Sequence, residues 1–122
     1  MREIKFRAWD TINKKWLKDW KEVRWIDGIV DINSHLRLMQ YTGLKDKHGI
    51  EIYEGDIVSL DDNWDELGWN AGDVREIYFG YGGFRLKAKR NPKAKGNWLE
   101  EGDYLEVIGN IYQDPKLLEV FK

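Results

Sequence analysis

Apolar and polar residues alternate in short runs along this chain of 122 residues, and turn-forming residues separate the runs. From Ile4 to Trp9, Ile4, Phe6 and Ala8 fall on one face and Lys5, Arg7 and Trp9 on the other, the period-2 pattern of a strand. Asp10 to Lys15 is turn-rich, and Trp16, Lys18 and Trp20 share one side of the run that follows. Together they predict a hairpin whose outer face carries tryptophans. Val23 to Trp25 and Ile29 to Ile32 flank Asp27-Gly28, a dipeptide suited to a two-residue hairpin loop. The first 33 residues thus predict a meander of three or four strands, too small to be stable alone, that packs on the rest of the chain or on another subunit.

His35 to Met39 alternates again and leads into Tyr41-Thr42-Gly43. In the stretch Gln40 to Leu60, His48-Gly49 and Glu54-Gly55 each place a glycine where the chain reverses, and Asp56 to Leu60 reads as a half-buried strand. Asp61 to Asp73 loses periodicity and gathers Asp, Asn and Gly, which predicts a long loop. Val74 to Phe79 and Phe84 to Ala88 predict a hairpin around Gly80-Tyr81-Gly82-Gly83. Lys89 to Gly96 is a basic loop, and Leu105 to Tyr112 is a last strand with Gly109 as a bulge or close-approach point. Asp114 is placed to N-cap a single helical turn over Lys116 to Val120, with Pro115 at its first position. The expected fold is mainly β: a small antiparallel barrel over residues 39–122, an N-terminal β-meander subdomain over residues 1–38 and one short C-terminal helix.

Composition narrows the chemistry. The chain has no cysteine, which excludes a disulfide framework, thiol catalysis and cysteine-ligated metals, and suits a reducing cytoplasm. The N-terminal residues never reach the apolar core of about 7 to 15 residues that a signal peptide needs, so a soluble, non-exported protein is expected. His35 and His48 lack the spacing of a helical zinc pair and no nucleophile elbow is present, so no catalytic, cofactor-binding or metal-binding residue is assigned.

Net charge is -2, but the charges come in blocks. Asp61 to Glu76 holds six acidic residues against Arg75 alone, and Arg85 to Lys95 holds six basic residues and no acidic one. Arg85 and Lys87 share a strand face opposite Phe84 and Leu86, so they are expected to project to solvent and continue into Lys89, Arg90, Lys93 and Lys95 as a basic ridge. Asp61, Asp62, Asp65 and Glu66 lack the glycine placement of a calcium loop and read as a solvated acidic segment. Seven tryptophans exceed what a core of this size needs. Trp9, Trp16 and Trp20 interleave with lysines, an arrangement that serves packing between sheets or subunits, or the stacking of single-stranded nucleic acid. Trp64 and Trp69 lie in the acidic segment, where phosphate is repelled, and favour a protein partner there.

Three stretches, REIKFRAWD (Arg2 to Asp10), QYTGLKDKHGIEIYEGDIV (Gln40 to Val58) and LEVIGNIYQDPKLLE (Leu105 to Glu119), resemble the YopX-like family of phage and prophage proteins. His48 stands where the pattern has Asn before the turn glycine, a mild departure because both residues tolerate positive φ. The resemblance implies an SH3-like barrel over residues 40–119, an N-terminal β subdomain and a phage- or prophage-borne gene expressed in the bacterial cytoplasm. It implies no activity and carries over no site residue. The expectation is a non-enzymatic accessory protein that binds a protein partner or itself, with Trp64, Trp69 and the acidic residues around them as one contact. The competing expectation is a nucleic-acid-binding barrel using Trp16, Trp20 and the basic ridge; an enzyme with carboxylates at the barrel mouth is the third.

Overall fold

In the computed structural model of the protein, residues 5–17, 25–26, 29–30, 35–61, 72–87 and 97–119 are described. They form β1 (Phe6–Asp10), β2 (Lys15–Trp16), β3 (Trp25–Ile26), β4 (Ile29–Val30), β5 (Leu36–Lys45), β6 (Glu51–Tyr53), β7 (Asp56–Leu60), β8 (Val74–Gly80), β9 (Gly83–Leu86), β10 (Asn97–Trp98), β11 (Leu105–Asn110) and the helical turn α1 (Lys116–Glu119). All pairings among the described residues are antiparallel. One sheet has the order β2-β1-β5-β6, a second, curled as a half-barrel, has the order β10-β9-β8-β7-β11, and β3 and β4 make a separate ribbon.

The expected first hairpin forms, with Trp9 opposite Trp16. Asp10 builds its turn: the carboxylate accepts the backbone N–H groups of Ile12 (3.0 Å) and Asn13 (2.9 Å), the local bonding that makes aspartate a turn residue. β2 ends at Trp16, and Trp20, expected on the same strand, lies outside the described residues. β3 and β4 pair as the Asp27-Gly28 signal predicts, Trp25 against Val30 and Ile26 against Ile29.

β5 is the spine of the structure. Its first half pairs with β1, from Asp10 opposite Leu36 to Phe6 opposite Gln40, and its second half pairs with β6. The division expected between residues 38 and 39 therefore falls inside one uninterrupted strand. At the far end of β5 the turn to β6 is held by Asp46. Its carboxylate accepts the N–H groups of His48 (2.8 Å), Ile50 (2.9 Å) and, from β11, Val107 (2.9 Å). Burial pushes the Asp46 carboxyl up, and these three donors together outweigh it, so its pKa stands below the ordinary value.

The expectation of a half-buried β7 is corrected: only Ser59 is partly exposed, so both faces of β7 are covered, while β8 and β11 pair with its two edges. Val58 and Leu60 join Ile52, Ile77, Leu86 and Leu105 in the core of the half-barrel, and Trp9, Met39, Tyr41 and Tyr53 form a second core over the other sheet. Trp9 is thus a core residue and not part of a surface platform. The β8–β9 connection is a two-residue turn, Tyr81 (φ 54°) and Gly82 (φ 87°), tighter than the four-residue reading and with both central residues left-handed. Gly80 and Gly83 are the last paired residues.

β11 carries its register shift between Val107 and Gly109, where a bulge was expected. A Cβ at Gly109 would press on the Asp114 carboxylate. That carboxylate turns back to accept the Asn110 N–H (3.2 Å), so Asp114 does not serve as the expected side-chain N-cap. Its main-chain carbonyl instead starts α1 by accepting the Leu117 N–H (3.1 Å).

Two glycines separate crowding from conformation. A Cβ at Gly102 would run into the Lys45 carbonyl at the end of β5, whereas one at Gly49 (φ +80°) would meet nothing within 4 Å. Urea denaturation should show Gly102→Ala costing about 3 kcal/mol or more. Gly49→Ala should cost only about 1 kcal/mol, the penalty of a left-handed backbone. Equal effects would show that Gly102 is not closing the sheet onto β5.

Candidate functional site

Where the two sheets meet, a charge is buried. Asp56, the first residue of β7, has a side chain only 1% exposed, and its Oδ1 is bound by the guanidinium of Arg7 from β1. Oδ2 accepts the Tyr53 N–H at 2.7 Å. The guanidinium lies over the rings of Tyr53 (4.4 Å) and Trp16 (4.6 Å), and its Nη2 is 3.6 Å from Met39 Sδ. Trp16, a candidate surface residue, is 38% exposed and covers Arg7 while meeting Trp9 edge-on at 4.9 Å. Burial pushes the Asp56 carboxyl up to about 6, against the pull of Arg7 and the Tyr53 N–H. This cluster ties β1 to β7 and so holds the two sheets together.

The outer face of β8, β9 and β10 is different. Tyr78 stands opposite Arg85, and Arg85 opposite Trp98. The Trp98 ring lies 3.6 Å from the Arg85 guanidinium and Tyr81, on the turn, lies 5.5 Å from it, while Arg85 Nε donates to the Gly80 carbonyl (3.1 Å). Arg85 was expected to project to solvent, yet it is only 7% exposed. The sequence pattern could not show Trp98 crossing over from β10 into the space that Gly83 leaves open, where a Cβ would strike its ring. Trp98 and Tyr81 are 48% and 59% exposed. The result is a strip of aromatic surface built around a fixed guanidinium.

Lys87 continues this strip by pairing with Glu76 (3.4 Å) and approaching the Tyr78 ring (5.9 Å). Lys89, Arg90, Lys93 and Lys95, which would complete the basic ridge, lie outside the described residues, as do Trp20, Asp62, Trp64, Asp65, Glu66 and Trp69. Asp61 is exposed and pairs with Lys47 (3.1 Å), whose pKa that hydrogen bond raises.

Beside the strip, between β5 and β8, is a cleft of about 100 Å³ that the sequence reading missed. Leu38, Met39 and Ile111 give it apolar walls, and Glu54, Glu76, Tyr78 and Tyr112 supply polar groups. Glu54 accepts the Gln40 N–H at 3.0 Å, but burial outweighs that bond and raises its carboxyl. The Tyr112 hydroxyl is raised by burial first; Arg37 opposes the shift, and Glu54 and Glu76 add to it. Tyr78 belongs to both the cleft and the strip. The only sequence signal for the cleft was Glu54 beside a turn glycine.

Among the described residues no group of His, Asp and Glu is arranged to hold a metal ion, and no helix is long and apolar enough to cross a membrane. Two antiparallel sheets, one of them curled as a half-barrel, with a cleft and an aromatic strip, define a small mainly β domain. The chain belongs to the YopX family, whose family model, described as YopX protein, matches residues 5–119. Among solved structures it is similar to protein EF1440 from Enterococcus faecalis, with 28% identity, a TM-score of 0.61 and coverage of 97% of this chain and 99% of that one. It is also similar to yopX from Bacillus subtilis, with 26% identity, a TM-score of 0.55 and coverage of 97% of each chain. No curated protein matches it.

The buried pair makes a pH-dependent prediction. With the folded carboxyl at about 6 against an ordinary 3.8, folding takes up a proton between those values. The stability from this linkage is complete below about pH 4 and lost as pH rises through about 6. Arg7→Met leaves Asp56 buried without its cation and should cost about 3 to 5 kcal/mol near neutral pH. The carboxyl then rises further, so the cost should shrink on acidification to about pH 5. Denaturation curves of both proteins across that range test this, and a cost that grows on acidification contradicts the buried-charge account.

Proposed function

We propose that the protein is a non-enzymatic binding module, a phage or prophage accessory protein of the bacterial cytoplasm, that acts through protein–protein contact on the aromatic strip of β8, β9 and β10. The observation that carries this reading is the half-exposed pair Trp98 and Tyr81 set around the nearly buried Arg85. Tryptophan, tyrosine and arginine are the residues that most often dominate binding energy at protein interfaces. Here each is already held in place, so little side-chain freedom is lost on binding. Tyr81 reinforces the point. A tyrosine with φ of 54° is strained by about 1 kcal/mol, and at 59% exposure the fold draws little from its ring.

Protein is favoured over nucleic acid because the cations of the strip are already engaged. Arg85 is roofed by Trp98 and bonded to the Gly80 carbonyl, Lys87 pairs with Glu76, and the adjoining cleft presents Glu54 to any phosphate. The phosphate contacts that dominate nucleic-acid affinity therefore have few described cations to meet on this face.

A photo-crosslinking amino acid placed at Tyr81 should capture a protein in the bacterial cell, and the same group at Ile12, which is 68% exposed on another hairpin, should not. Adding Trp98→Ala should abolish the capture, and light scattering tells whether the captured protein is a second copy. Capture at neither position, together with micromolar binding of oligonucleotides at low salt, would overturn the reading.

A further inference from the structure

We infer that the cleft between β5 and β8 receives a lysine or arginine side chain of the protein partner, an inference that rests on the adjoining aromatic strip being the contact surface. Volume and lining both suit a long cationic side chain. The cleft holds about 100 Å³, and its walls of Leu38, Met39 and Ile111 suit a methylene stem. Tyr78 and Tyr112 contribute the aromatic rings that attract a cation.

Charge decides the sign of the guest. Glu54 accepts one backbone N–H, from Gln40, and among the described residues it has no cationic partner. A carboxylate partly withdrawn from water and short of a counter-charge gains more from an arriving cation than a surface carboxylate does. Glu76 already pairs with Lys87 at 3.4 Å, which leaves Glu54 as the carboxylate that an arriving cation meets first. Arg37 acts on Tyr112 from outside the lining and is the other cation in reach. An anionic or phosphate-bearing guest would face both carboxylates. Because Tyr78 belongs to the cleft and to the strip, a segment anchored by its cation in the cleft continues past Tyr78 onto Trp98 and Tyr81.

The test uses the whole chain and two small probes, N-acetylarginine methylamide and its neutral citrulline counterpart, followed by amide chemical shifts. The arginine probe should give saturable millimolar binding with shifts concentrated at Gly55, Tyr78 and Tyr112, and the citrulline probe should give none. Glu54→Gln keeps the oxygen that accepts the Gln40 N–H and should weaken arginine binding about tenfold, the loss of one charge-assisted contact, with unchanged urea stability or a slight gain. Equal binding of citrulline, unaltered affinity in the Glu54→Gln variant, or no saturable shift overturns the inference. If crosslinking at Tyr81 succeeds and the cleft ignores the cation, the pocket falls and the binding module stands. If the cleft binds arginine and Tyr81 captures nothing, the assignment of that cation to a protein partner falls.

Discussion

The Arg7 guanidinium and the Asp56 carboxylate come from different sheets, and neither can be buried without the other. Withdrawing a lone charge from water costs several kcal/mol, so β1 must lie where its arginine reaches the start of β7. The pair adds less to net stability than apolar packing of the same volume would, but it fixes register. A slip of β1 by one residue would turn Arg7 to the opposite face and leave Asp56 without a counter-charge. Trp16 and Tyr53 on either side of the guanidinium extend this constraint to the β1–β2 hairpin and to β6.

The same pair shapes the cleft. Met39, which Arg7 approaches at 3.6 Å, is also part of the cleft wall, and a Cβ at Gly55 would come within 3.2 Å of its sulfur. The wall is therefore held from behind by a fixed charge and from the side by a turn with no room to spare. On its other side stands β8, whose Tyr78 leads to Arg85 and Trp98. Enclosed electrostatics at the seam thus set the geometry of a surface several residues away.

Local features were legible in the sequence. Gly49, Gly55 and Gly109 mark turns and a bulge because each meets a requirement of its own neighbourhood, and β3 pairs with β4 on either side of the Asp27-Gly28 signal. What escaped was whatever depends on a partner distant in the chain. Alternation put Arg85 beside Lys87 in solvent, since nothing in β9 announces that Trp98 will cover one and not the other. Alternation also gave β7 one buried face, because it cannot count the sheets on either side. Asp114 looked like a helix cap until the bulge at Gly109 brought Asn110 within its reach. The cleft needed β5 and β8 side by side, a juxtaposition that no local pattern contains, and much of the candidate surface lies in residues 62–71 and 88–96, outside the described structure.

The Asp46 carboxylate gathers two donors from its own turn and a third, Val107, from 61 residues further on. Arg7 and Asp56 are separated by 49 residues. Contacts of such span form late, since a long loop must close before they return any energy. As the chain leaves the ribosome, β7 can pair with β8 well before β11 emerges, and until then its other edge offers unpaired N–H and carbonyl groups to any passing strand. The pairing of β11 is what closes that edge.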